Sequence, residues 1–177
     1  MLTGLIQIGD KLDINNQIEL ELYFSEHFDT ILFPVLAEMY LKNKDLKRAR
    51  KVCDIGFNYH ENDISGWFVY AKIEKAEGNL KEVEKALEKV LLYSNNHIAA
   101  AEMLCEVQTV LGRATNRILK SWKHVLKLNP THQTAIDFIQ KVESTNKNIQ
   151  SKPQNSVSPK SSVPKQSTKK TSFKLNT

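Results

Sequence analysis

Two cysteines, five histidines and a scatter of carboxylates are the residues of this sequence able to do covalent, acid–base or metal chemistry. Cys53 and Cys105 lie far apart, each at an apolar position of a helical pattern. They read as small core residues of a protein in a reducing compartment, not as a disulfide or a ligand pair. His27, His60, His97, His124 and His132 fall mostly at helix ends or between repeated units, where they read as capping or solvated side chains. None joins a cysteine and an acid at ligand spacing. His124 and Cys105 share a unit but sit on different helices, with no acid in place to orient the base. A glycine-rich phosphate loop, Gly-x-Ser-x-Gly and His-Glu-x-x-His are all missing. The expectation is a non-catalytic chain with no metal ligands, no cofactor and no small-molecule substrate.

The elements that position these side chains come from a pattern that recurs. From Phe33 the chain runs through Leu36, Ala37, Tyr40, Leu46, Ala49, Cys53 and Gly56; from Trp67, 34 residues on, it runs through Tyr70, Ala71, Glu74, Gly78, Leu80, Val83, Leu87 and Val90. A third copy passes Leu104, Cys105 and Gly112, then Ile118, Trp122, Val125 and Pro130 after one extra residue. Each copy predicts two antiparallel helices. Asp29, Asp45 and Asp63 are expected caps, Gly78 closes a helix in the left-handed conformation, and 113–117 forms a looser turn. Ala37 and Ala49 fall where paired helices come closest and only small side chains fit. Charges on the second helix of the middle copy, Glu84, Lys85, Glu88 and Lys89 among them, read as a solvated face with pairs four residues apart.

These residues resemble the tetratricopeptide repeat superfamily. The aromatic at the fourth position (Phe33, Trp67), the small residue at the eighth (Ala37, Ala71, Cys105), glycine at the fifteenth (Gly78, Gly112) and the closing Pro130 carry the resemblance. The segment from Leu36 to Tyr40 also looks like the opening of bacterial repeat proteins of undefined role. The first two copies lack the closing proline, with Glu61 and Asn95 there instead. The expected fold class is all-α: a right-handed superhelical α-solenoid of about three repeats, 30–63, 64–97 and 98–132, with a capping helix at 133–143. An N-terminal arm and capping helix precede it at 1–29, and a disordered Lys/Ser/Pro-rich tail follows at 144–177.

The resemblance implies a concave groove lined by the first helix of each repeat, receiving a peptide or helix from a protein partner. The expected groove residues are Glu38, Phe68, Val69, Lys72, Lys75, Glu102, Met103 and Glu106, an apolar strip through Phe68, Val69 and Met103 with charges beside it. Relatives that grip a free carboxylate place cations and amides where this chain has Pro34, Glu38, Val69, Ala99 and Met103, so no binding of chaperone C-terminal tails is expected. The role that follows is an interaction scaffold or adaptor.

The alternative lies in the tail. The chain has 177 residues and a formal net charge of +5, yet residues 146–177 hold seven lysines and no acid. The rest of the chain is therefore net acidic, and the basic character belongs to the tail. Such a tail would tether a regulatory or assembly subunit to a polyanion, whether nucleic acid, acidic lipid or acidic protein. With no leader pattern and no run long enough for a membrane span, the sequence reads as cytoplasmic.

Overall fold

A computed structural model of the chain describes residues 12–150, with side chains as far as residue 145. Eight helices follow one another among the described residues: α1 (Gln17–Glu26), α2 (Phe33–Lys42), α3 (Leu46–Phe57), α4 (Ile64–Glu77), α5 (Leu80–Tyr93), α6 (Ile98–Val110), α7 (Thr115–Leu128) and α8 (Gln133–Gln150). The pairs α2/α3, α4/α5 and α6/α7 are the three repeats. Each second helix packs on the first helix of the next pair, and α7 packs on α8. The core is a chain of three clusters running from α1 to α8, as expected when no repeat can bury its apolar face alone.

Local chemistry sets most boundaries. Asp45 accepts the Arg48 N–H at 3.0 Å and Asp63 accepts the Gly66 N–H at 2.6 Å, so both cap as expected. His97 and His132 cap α6 and α8 through Nδ1, which accepts the N–H of Ala100 and Ala135 at 3.2 Å. Gly78 and Gly112 end their helices at φ 81° and 62°, where a Cβ would be strained.

The structure corrects the sequence reading at several places. Asp29 does not cap α2. That helix starts at Phe33 with Pro34 in its first turn, and the Asp29 carbonyl instead meets His60 Nε2 at 2.5 Å. The looser turn expected at 113–117 is shorter, because α7 begins at Thr115. The last helix continues to Gln150, so 144–150, expected to open the tail, are helical; residues 151–177 and the arm 1–11 lie outside the described residues. In α1, Leu20 and Phe24 are buried against the first repeat, but Ile18 and Leu22 are exposed by 70% and 51%. This helix is apolar on both sides.

Phe33 shows how tightly the first junction is built. It is fully buried, and a Cβ added at either Gly56 or Gly66 would fall inside the envelope of its ring. Two glycines on successive helices thus make one flat slot for one aromatic ring.

Candidate peptide-binding groove

The ninth position of each repeat holds Glu38, Lys72 and Glu106, all on first helices. Stacking brings the first two together as an ion pair, and Lys75 reaches Glu106 at 3.3 Å. All four side chains are at least a quarter exposed, so each pair contributes at most about 1 kcal/mol. Lys72 Nζ also lies 5.2 Å from the centroid of the Phe68 ring, which packs against His97 at 4.5 Å. Glu102 sits 3.3 Å from His132 Nε2. The charges expected in the groove are therefore largely matched to one another within the array.

The apolar strip is narrower at the surface than the sequence implies. Val69 is only 6% exposed and belongs to the first core cluster. Phe68 and Met103 are half-buried, both packed against the second. Val69 also lines an open depression of about 290 Å³, walled by Ile14 and Asn15 ahead of α1 together with α2 and α4, with Pro34, Val35, Met39 and Val69 on its floor and Glu38 and Lys42 at its rim.

Sequence reasoning missed the polar groups buried between repeats. Glu74 is 1% exposed and binds Arg50, while Asn79 Nδ2 donates to it at 2.8 Å. Arg50 also binds Glu77 and donates to the Tyr70 hydroxyl at 3.1 Å. Burial alone would raise the Glu74 pKa. The hydrogen bonds from Arg50, Asn79 and Tyr70 outweigh it and hold the carboxyl below its ordinary value. Burial pushes the Tyr70 hydroxyl up to about 12.

Glu84, read as part of a solvated face, is 4% exposed instead. It accepts from Arg113 Nη2 at 2.6 Å, and its other oxygen sits 3.0 Å from Arg117 without hydrogen-bond alignment. The pairs expected four residues apart do not form, because Glu84/Glu88 and Lys85/Lys89 carry like charges. Lys85 binds Glu82 at 2.7 Å, and Lys89 lies 3.7 Å from the centroid of Trp67. A signal for the buried groups was present: the eleventh position of the three repeats holds Tyr40, Glu74 and Gln108, polar side chains at a core-facing register.

The thiols are poorly placed for chemistry. Cys53 and Cys105 are fully buried, and burial pushes both up to about 12, so neither offers a thiolate near neutral pH. Among the described residues no group of three or more His, Cys, Asp and Glu side chains is placed to hold a metal. No described helix is long and apolar enough to cross a membrane.

The fold is tetratricopeptide-repeat-like, an all-α solenoid of stacked helix pairs. A mutant of MamA superposes on it with a TM-score of 0.62 at 17% identity, covering 76% of this chain and 78% of that one. The structure of MamA itself gives 0.58 at 10% identity, over 82% and 87%. YrrB, described as a TPR protein with an unusual peptide-binding site, aligns at 0.41 and 13% identity over 72% and 84%. No family model matches the sequence, and no curated protein matches it.

Proposed function

We propose that this chain is a non-catalytic protein-interaction scaffold whose first-helix face receives a helix or an extended peptide. The observation that supports this best is the depression between α2 and α4, with its apolar floor and charged rim. Such a floor takes an apolar side chain, and a rim of both signs orients the polar flank of an amphipathic segment. Glu38 and Lys72 already satisfy each other, as do Lys75 and Glu106. An incoming segment therefore draws its affinity from Phe68, Met103 and the floor, while the charges set register and specificity.

The tail offers a second reading, favoured by one observation: seven lysines and no acid between residues 146 and 177. In that reading the tail tethers the array to a polyanion. Affinity capture separates the two. Groove binding predicts that Phe68→Ala or Lys72→Glu lowers recovery of the partner and that a chain ending at Gln150 does not. Tethering predicts that the shortened chain recovers nothing and that moderate salt has the same effect. Because α8 runs to Gln150, the cut belongs after that residue.

A further inference from the structure

The same pocket occurs twice in the array, once filled and once open. Between the first and second repeats, the Trp67 indole stacks on Phe57 at 4.1 Å, its N–H donates to the Glu61 carbonyl at 2.6 Å, and the Lys89 ammonium covers its face. Lys85 at the rim is paired with Glu82. About 220 Å³ remains free around these side chains.

One repeat on, every one of these positions has a counterpart, displaced by 34 residues, or by 35 after the extra residue. Trp67 becomes Ala101 and Phe57 becomes Leu91. Tyr70 becomes Leu104, Lys89 becomes His124, and Glu61 becomes Asn95. The ring is gone, and a pocket of about 330 Å³ opens between α5, α6 and α7 over Leu91, Ala101 and Leu104. The acid is gone too, because the counterpart of Glu82 is Arg117 and that of Lys85 is Lys120. Arg117 is held by Glu84 and Glu88, but Lys120 pairs with no acid among the described residues. In the wall, Gln108 is 2% exposed. Its Oε1 accepts from Ser121 at 2.8 Å, and its Nε2 finds no acceptor among the described residues.

We propose that this pocket binds a partner protein's aromatic side chain flanked by a carboxylate, supplying from outside the ring and the acid that Trp67 and Glu82 supply within the previous junction. The carboxylate meets Lys120 Nζ and Gln108 Nε2. Glu88, the acid at the rim, is engaged by Arg117 and leaves the mouth net positive. The Asn95 carbonyl, counterpart of the indole's acceptor, is already taken by His124 Nε2 at 2.8 Å. The site therefore suits a phenyl ring, which brings no N–H needing that acceptor. None of the eight groove residues lines this pocket.

The test titrates acetyl-Asp-Phe-Asp amide into the full chain and follows backbone amide shifts by NMR. Saturable shifts at Ala101, Leu104, Gln108 and Ser121 are expected, with acetyl-Lys-Phe-Lys amide giving none. Ala101→Trp, which refills the pocket as Trp67 does, should abolish the shifts. Lys120→Glu, an exposed change that leaves the core intact, should weaken binding about tenfold. Phe68→Ala should change nothing, which keeps this site separable from the groove. The proposal is overturned if no saturable shift appears up to ~10 mM peptide. It is equally overturned if both peptides bind alike, if Lys120→Glu leaves the affinity unchanged, or if the shifts survive in a folded Ala101→Trp variant.

Discussion

The first and second junctions of the array solve one packing problem with different materials. At the first, a second-helix cation, Arg50, reaches forward to buried Glu74 and to Glu77 on the next first helix. At the second, the equivalent position carries an acid, Glu84, which reaches forward to Arg113 and Arg117. The sign is reversed and the partners come from a different element, yet both junctions end with a buried carboxylate held by guanidinium groups. The aromatic filling differs more. Phe33 lies in a slot between Gly56 and Gly66 and Trp67 stacks on Phe57, whereas the second junction has Ala101 and Leu91 at the Trp67 and Phe57 positions. The repeat thus fixes where helices cross, and leaves each junction free to be sealed or open.

Five substitutions break or sharpen this contrast, in falling order of effect. Gly56→Ala or Gly66→Ala drives a methyl into the Phe33 ring, with little room for the ring to move. Each should cost about 3 kcal/mol or more in chemical denaturation, and the same change at an exposed helical site should cost nothing comparable. Trp67→Ala makes the first junction resemble the second. Its cost should be about 3 kcal/mol, below a full core truncation because the indole is half-buried, and it should open a second ring-sized pocket.

Glu74→Gln keeps the shape and removes the charge facing Arg50. With Arg50 still reached by solvent, the expected loss is about 1–2 kcal/mol. The Glu74 carboxyl titrates lower in the folded chain than its ordinary value near 4.5, so its contribution is present above that value and is lost as pH falls through the folded one. Denaturation midpoints should therefore fall more steeply below pH 4.5 for the native sequence than for Glu74→Gln. Least of all, Lys72→Ala in the groove should change stability by less than about 1 kcal/mol, because its pair with Glu38 is partly solvated. That small effect makes it a clean probe of binding.

The sequence made the fold readable because period and pattern agree at every level: the aromatic at the fourth position, the small residue at the eighth and glycine at the fifteenth each have one packing consequence. It was less informative where a competing local interaction wins. Asp29 has the chemistry of a cap, but Pro34 starts α2 later and leaves Asp29 to His60. Glu84 has the sequence context of a solvated acid, and only the arginines from the next repeat draw it inward. The proposed groove could be written from the sequence as a set of positions but not as a set of partners. That Glu38 and Lys72 neutralise each other depends on how two first helices stack, which spacing within one repeat does not encode. The open pocket at Ala101 was legible in principle, since of the three repeats only the third lacks the aromatic at the fourth position. It gains meaning only beside its filled twin.

The central claim is that partners bind the first-helix face. Hydrogen exchange of the array with and without its captured partner tests it most directly. The account predicts added protection in α2, α4 and α6 around Glu38, Phe68 and Met103, retained when the chain ends at Gln150. Protection confined to the second helices, or a partner that leaves with residues 151–177, would contradict it.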